Sequence, residues 1–435
     1  MPSALQLPWR LALPLLAAFV SVPFVLPLAF SFQRLSWLPS APPPSAPAPS
    51  QTQQTPSFLP PPQTPSTDTA GGSETEAAMC DVYDGEWVRD AEARPLYAPG
   101  TCPYVEEAYA CAANGRPDSG YTRWRWAPRH CRLPRFNATD LLERLRGKRL
   151  MLVGDSINRN QFESLLCILH GALPDKARMF ETHGYKISRG RRYFVVKFVV
   201  LTEMLDYDCT VEFVRSHFLV RQGVGFDQQG NSSSILQIDR IDKTANRWKK
   251  ADVVVFNTGH WWTHGKTARG KNYFKEGDKL YPQFDSTEAY RRALKTWAHW
   301  VDKNMDPARS VVFYRGYSTA HFRGGDWDSG GSCHGETEPT FRGAIIESYP
   351  LKMRIVEEVV GGMRFPVRLL NVTKLTNFRR DGHPSVYGKA REKKKVSKRK
   401  QDCSHWCLPG VPDAWNELIY ASLVLEPNPS SWEQT

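Results

Sequence analysis

The sequence predicts an α/β fold with a parallel central sheet flanked by helices. Three observations carry this: four short apolar runs, helical segments between them, and unusual polar residues where the runs end. Arg149–Val153 (RLMLV), Asp252–Phe256 (DVVVF), Ser310–Tyr314 (SVVFY) and Val367–Asn371 (VRLLN) share one design, β-branched or large apolar residues closed by Gly, Asn or a polar turn. Continuous apolar runs of that length suit strands buried on both faces. A helix is expected over Ile157–His170 after the first run and over Thr287–Asn304 before the third. Another covers Leu351–Val360 before the fourth and stops at Gly361-Gly362. Tyr193–Leu201 and Cys209–Val220 read as an added hairpin joined through Asp206-Tyr207-Asp208. In open sheets of this kind, ligands bind beyond the carboxyl ends of the strands.

The 435 residues have ample length to bury a core, and 41% hydrophobic residues with 14 Trp exclude a mainly disordered chain. The formal charge of +12 would suggest nucleic acid or an anionic surface as partner. Its distribution argues against nucleic acid, because Lys389–Lys400 alone holds eight basic residues and one acidic one. The remaining chain is close to neutral.

Between Arg10 and Arg34 stand 23 uncharged, mostly apolar residues. That is enough to cross a bilayer core as a helix, and longer than the apolar core of a cleaved signal peptide. Pro39–Pro65 then holds 11 prolines, and no Lys or Arg occurs from Leu35 to Val88, a composition that forms an extended spacer. The expected layout is a cytosolic tail (1–10), a signal-anchor transmembrane helix (11–33), a Pro-rich stem (34–78) and a lumenal domain (79–435), as in a type II membrane enzyme of the secretory pathway. Eight of the nine cysteines would suffice for four bridges, with Cys209 in a strand-like run, and in an oxidising lumen they read as disulfides. A zinc site at Cys403, His405 and Cys407 lacks a fourth ligand at matching spacing, so no metal is expected. Asn137, Asn231 and Asn371 head glycosylation sequons, whereas Asn428-Pro-Ser is blocked by its proline.

The strand ends carry the chemistry. Gly154-Asp155-Ser156 follows the first strand and opens a helix, which sets a serine hydroxyl at the sheet edge and its N–H at a helix N-terminus, where an oxyanion can be met. Taken alone, a serine there is usually just a cap. Asn257 and Trp261-Trp262 follow the second strand, an amide donor and two flat apolar faces on which sugar rings can lie; an Asx turn and core tryptophans are the plainer alternative. Asp402-Cys403-Ser404-His405-Trp406-Cys407 supplies a base and a carboxylate to orient it, and bridging its cysteines would pin the turn. His130, His170 and His217 read as surface or packing residues.

Together with Tyr314–Cys333 (YRGYSTAHFRGGDWDSGGSC), Leu370–Ser385 (LNVTKLTNFRRDGHPS) and Asp402–Asn416 (DCSHWCLPGVPDAWN), these motifs make the chain resemble the plant trichome-birefringence-like family of the GDSL/SGNH-type esterases and acyltransferases, from about Cys80 to Leu425. The resemblance implies an SGNH-hydrolase-like fold with a disulfide-stapled N-terminal subregion, and a Golgi polysaccharide O-acetyltransferase most often acting on xylan. It places the nucleophile at Ser156, the base at His405, the orienting acid at Asp402 and an oxyanion donor at Asn257. It also implies the disulfides Cys80–Cys131, Cys102–Cys167, Cys111–Cys407 and Cys333–Cys403, leaving Cys209 reduced and buried. The implied partners are a cell-wall polysaccharide acceptor, the Golgi membrane and an acetyl donor, acetyl-CoA or another lumenal acetyl carrier; no bound cofactor is expected.

The expected chemistry is double displacement through an acetylated Ser156. An esterase of acetylated glycans needs the same three residues with water as acceptor, and a non-catalytic binder of pectin or xylan would use the aromatic surface and the basic run. Arg159, Trp261, Trp262, Arg323 and Trp327 are the expected substrate contacts.

Overall fold

The computed structural model describes residues 81–90, 92, 94–187, 192–199, 207–226, 229–341, 348–389 and 401–426. The anchor segment, the stem, Cys80 and residues 390–400 of the basic run lie outside the described residues, and no described helix is long and apolar enough to cross a membrane.

In chain order the strands are β1 (Gly85–Arg89), β2 (Trp124–Pro128), β3 (Arg149–Gly154), β4 (Met179–Glu181), β5 (Tyr193–Phe198), β6 (Cys209–Arg215), β7 (Val220–Phe226) and β8 (Ser232–Ile241). They continue with β9 (Val253–Phe256), β10 (Phe274–Glu276), β11 (Lys279–Leu280), β12 (Val311–Arg315) and β13 (Arg368–Leu370). The first four helices are α1 (Ala138–Arg144), α2 (Ser156–Ala172), α3 (Ala245–Trp248) and α4 (Ser286–Asn304); Leu351–Gly361 and the C-terminal helix Val411–Leu425 complete the layers.

The central sheet has seven strands in the order β13-β12-β9-β3-β6-β5-β4. β13, β12, β9, β3 and β6 run parallel, and β5 and β4 add antiparallel pairings at one edge. Burial on both faces is visible residue by residue. Leu150, Leu152, Val253, Val255, Val311 and Phe313 enter one core with α2 and the C-terminal helix, while Met151, Val153, Val254, Phe256, Val312 and Tyr314 enter a second with α4 and Leu351–Gly361. Alternate side chains of a strand point to opposite faces, so consecutive positions of these strands are apolar, and the helices make the outer layers.

The expected hairpin is present, β5 pairing antiparallel with β6, but it is built into the central sheet and its second strand is shorter. Cys209–Arg215 is an inner strand of the central sheet, paired in parallel with β3 from Arg149↔Thr210 to Gly154↔Arg215 and antiparallel with β5. Its run ends before Val220: Ser216 N–H donates to the Gly154 carbonyl at 2.8 Å, and Leu219 takes a positive φ of 60°. Val220 then opens a second sheet of four strands, β11-β10-β8-β7, which the apolar runs did not announce. The end of β6 is thereby tied to the strand end that carries the serine.

Three of the implied disulfides are present, Cys102–Cys167, Cys111–Cys407 and Cys333–Cys403; the partner assigned to Cys131, Cys80, lies outside the described residues. Cys209 is free and buried, and burial pushes its thiol up to about 12. Asn137 is exposed and caps α1, accepting from Thr139 N–H and Asp140 N–H. Asn231 is exposed, whereas the amide nitrogen of Asn371 donates to Tyr349 Oη at 2.9 Å.

Trp297 of α4 is fully buried, with its ring 5.4 Å from Phe256 and 5.1 Å from Tyr314. Trp297→Ala should cost about 3–5 kcal/mol of stability, read as a lowered urea midpoint.

Candidate active site

The serine stands where β3 gives way to α2. Asp155 is the helix N-cap, its carboxylate accepting from Ile157 N–H at 2.9 Å. From Leu150 to Leu169 every residue is buried except Ser156, so the turn presents one side chain and hides the rest. Gly154 is required by a close approach: a Cβ there would stand 1.9 Å from Asn257 Oδ1 and 2.6 Å from its carbonyl oxygen.

Ser156, His405 and Asp402 come together as one hydrogen-bonded chain. Ser156 Oγ lies 2.7 Å from His405 Nε2, and His405 Nδ1 lies 2.7 Å from Asp402 Oδ2. The other carboxylate oxygen accepts from Ser404 N–H at 3.2 Å and His405 N–H at 3.0 Å, so Asp402 fixes both the ring and the turn beneath it. Burial alone would raise the Asp402 carboxyl; the adjacent His405 and these hydrogen bonds hold it well below the usual carboxylate range. Burial would lower the His405 imidazole, and Asp402, with help from Asp155 and Glu106, raises it above its ordinary value instead.

The turn is fastened on several sides. Cys403 and Cys407 are bridged to Cys333 and Cys111, which removes both as zinc ligands, and Asp402 pairs through its backbone with Ser385. Asn160, one helical turn beyond Ser156, takes Trp406 N–H at 2.9 Å on its Oδ1 and donates through Nδ2 to the Trp406 carbonyl at 3.1 Å. The helix that carries the serine thus also grips the turn that carries the histidine. Behind it lies a pair of buried rings: His383 Nδ1 is 2.7 Å from the His405 carbonyl oxygen, His383 Nε2 is 2.7 Å from His321 Nδ1, and His321 Nε2 is 3.0 Å from the Asn377 carbonyl oxygen. His383 stacks on Trp406 at 4.1 Å. Sequence reasoning assigned neither Asn160 nor these histidines a role, although both histidines stand inside the motifs that carried the resemblance and Asn160 lies four residues past the serine.

Asn257 stands behind the serine. Its Nδ2 donates to Asp155 Oδ1 at 2.9 Å and its Oδ1 accepts from Asp155 N–H at 3.2 Å, leaving one amide N–H without a hydrogen-bond partner among the described residues. Burial would raise the Asp155 carboxyl; His260, Arg315 and the Asn257 and Ile157 donors lower it, so a buried carboxylate sits beside the nucleophile. His260 is pushed down to about 4 by burial, and its Nε2 donates to the Ser318 carbonyl at 2.8 Å.

The five expected substrate contacts divide. Arg159 is corrected: its guanidinium is 3% exposed and is taken by Glu163 at 2.9 Å, Glu106 at 3.0 Å and the Ile187 carbonyl at 2.6 Å, so it braces α2 internally. Trp262 is corrected likewise, being buried in the second core with its N–H on Thr258 Oγ1. Trp261 is half-buried and stacks on His217 at 3.8 Å, and the Lys266 ammonium lies 4.9 Å from the Trp261 ring and 4.1 Å from the exposed Trp327 ring. His217 therefore belongs to this aromatic and cationic layer. Arg323 is exposed but paired with Glu336. Among the described residues, no group of three or more His, Cys, Asp or Glu is arranged to hold a metal ion.

Comparisons with known proteins show the family. Residues 133–422 match the GDSL/SGNH-like acyl-esterase family found in Pmr5 and Cas1p, and residues 78–132 match the PMR5 N-terminal domain. Protein trichome birefringence of Arabidopsis thaliana is 48% identical over 358 residues, 82% of this chain and 58% of that protein. Protein trichome birefringence-like 1 of the same plant is 47% identical over 350 residues, 80% and 62% of the two chains. Protein trichome birefringence-like 6, also from that plant, is 48% identical over 355 residues, 81% and 72%. The match spans about three fifths of the length of the first two relatives.

Two outcomes follow for the acyl chemistry that such a chain of residues performs. Asn160→Ala frees both backbone groups of Trp406, and should lower kcat on the order of 10- to 100-fold with KM nearly unchanged. Because the base must be neutral and its pKa is raised, kcat/KM should fall as pH drops through a value above about 6.5, and Asp402→Asn should move that limb to lower pH while cutting kcat on the order of 10⁴-fold. A wild-type limb well below 6.5 would contradict the assignment.

Proposed function

Since the chain belongs to the trichome birefringence-like family of GDSL/SGNH-like acyl-esterases, we propose that it transfers acetyl groups to hydroxyls of a cell-wall polysaccharide, xylan first among them, through an acetylated Ser156. The observation that carries this reading is the unbroken chain from Ser156 Oγ through His405 to Asp402, with 2.7 Å at each link.

In the proposed first step Ser156 Oγ bonds to the carbonyl carbon of the acetyl donor while its proton passes to His405 Nε2. The carbonyl oxygen becomes an oxyanion, met by the Ser156 N–H at the start of α2 and by the free N–H of Asn257. Collapse breaks the bond to the leaving group, which takes the proton from His405. A sugar hydroxyl then gives its proton to the same nitrogen and attacks the acetyl-serine, and a second collapse returns the proton to Ser156. Asp402 holds Nδ1–H and stabilises the imidazolium in both halves. Water in place of the sugar gives hydrolysis, so acyl transfer and ester cleavage share every protein group. Trp261, Lys266 and Trp327 are the surface assigned to the acceptor, since a ring face and an ammonium suit a sugar's C–H face and hydroxyls.

The same reading puts residues 1–10 in the cytosol, 11–33 across the Golgi membrane and 79–435 in the lumen, where the three described disulfides are stable. Acetyl-CoA or another lumenal acetyl carrier is the proposed co-substrate.

Purified full-length protein, an acetyl donor and xylo-oligosaccharides should give acetyl-sized mass increments by mass spectrometry, with Ser156→Ala at background. Increments at wild-type rate from Ser156→Ala would overturn the mechanism, and free acetate without increments would make the protein an esterase.

A further inference from the structure

β9, β3 and β6 lie side by side and parallel, so the serine at the end of β3 has a flank on either hand. The chain that follows β9 brings Trp261 and Lys266, with Trp327 against them. The other flank carries two arginines. Arg215 ends β6 in register with Gly154, two positions before the serine. Its N–H donates to the Arg192 carbonyl at 2.7 Å, one step beyond the pair Tyr193↔Val214, so Arg192 and Arg215 stand directly opposite each other. Neither guanidinium makes an ion pair or a hydrogen bond among the described residues.

Arg192 is exposed and Arg215 half-buried. Like charges opposed across a strand pair are destabilising, and partial burial without a partner adds to the cost. The groups around them do not settle the charge. Burial and Arg159 oppose it at Arg215; Glu106 and the Tyr109 phenol favour it, but Glu106 is already held by Arg159 at 3.0 Å. His217, two residues on, is pushed down to about 4 by burial, so it stays uncharged against Trp261. The Tyr109 ring lies 5.3 Å from that of His405, which sets Arg215 one side chain away from the catalytic base.

Two unpaired guanidinium groups call for an anion of high charge. A uronate carboxylate carries a single charge, whereas a phosphate monoester carries about two and has oxygens for both forks. Carriers of the coenzyme A kind hold their acyl group on a molecule that bears phosphates, and a neutral sugar acceptor has none.

We propose that Arg192 and Arg215 bind phosphate groups of the acetyl donor, which puts the donor on the β6 flank of Ser156 and the acceptor on the β9 flank. The inference rests on the proposed function, since it takes an activated acetyl carrier as co-substrate. Arg215 holds the phosphate nearer the serine, and the exposed Arg192 adds the second fork and draws the anion in.

The test is titration of full-length protein in detergent with coenzyme A and with inorganic pyrophosphate, beside steady-state transfer from acetyl-CoA to xylo-oligosaccharide. Arg192→Gln/Arg215→Gln should weaken both ligands at least ~10-fold, and Arg192→Lys/Arg215→Lys should restore binding only in part, keeping the charge but losing the fork. In the Gln variant KM for acetyl-CoA should rise at least ~10-fold while KM for the oligosaccharide moves less than about 2-fold, a split that a general structural loss would not give. Its preference for acetyl-CoA over the uncharged donor p-nitrophenyl acetate should fall by the same factor. Oligogalacturonate and phosphatidylserine vesicles should compete poorly with coenzyme A, which separates a phosphate carrier from an acidic glycan and from a membrane surface. Should the Gln variant not fold, coenzyme A should protect Arg192 and Arg215 of the wild type from phenylglyoxal. Unchanged affinity in a folded Gln variant, absence of protection, or equal competition by either control would overturn the proposal. Coenzyme A binding that is lost in the Gln variant, without acetyl transfer by the wild type, would sink only the proposed enzyme. Transfer by the Gln variant with the wild-type KM for acetyl-CoA would sink only this site.

Discussion

Everything at this site depends on holding two stretches of chain 249 residues apart to hydrogen-bond tolerance, the helix that begins at Ser156 and the turn that ends at Cys407. No local propensity can do this. Asn160 does it directly, by occupying both backbone groups of Trp406 from the same helix face as the serine. The rest of α2 extends the grip, since Gln161 and Ser164 bond Asn416 and Asp413 of the C-terminal helix. A buried helix face this rich in amides and hydroxyls is tolerated because nearly all its groups find partners, the Gln161 amide oxygen excepted, and many of those partners lie on the segment that must be registered.

Much of the scaffold was legible because a strand buried on both faces leaves a plain signature. β3, β9, β12 and β13 appear as apolar runs, displaced by at most a residue or so from their observed ends. The second sheet left no such trace: β7 (VRQGVGF) carries two glycines, and β8 opens on three serines. β6 reads as a hairpin strand, but its central place was disguised by Glu212, a buried charge in its middle, which is neutralised by Arg149 at 2.7 and 3.0 Å and bonded by Tyr193 at 2.8 Å. A polar residue whose partner is supplied by a neighbouring strand looks, in sequence, like a solvent-facing one.

The site divides along the same line. Ser156, Asp402 and His405 stood out because their surroundings are locally odd and because long motifs carried a family resemblance. Arg159 misled because closeness in sequence to the serine was read as closeness to substrate, whereas its side chain turns to Glu163 and Glu106. Asn160 and His383 stayed silent for the complementary reason, since their meaning lies in a backbone group contributed by another part of the chain. Buried polar residues are the least readable class, because their role is fixed by a partner that sequence does not name.

The paired imidazoles behind the catalytic turn raise a question of proton counting. The outer nitrogens of His321 and His383 face carbonyl oxygens, which only accept, so each must carry a hydrogen; the 2.7 Å contact between the inner nitrogens needs a third. Three hydrogens on two rings amount to one positive charge, in a place where burial drives His321 down to about 4 and His383 well below its ordinary value, with Arg380 adding to the opposition on His321 and Asp381 working against it. The neutral pair is one hydrogen short of satisfying all three contacts. The hydrogen bond that anchors the His405 carbonyl therefore depends on which nitrogens of the two rings carry the neutral pair's two hydrogens, a dependence that a backbone-to-backbone bond does not have.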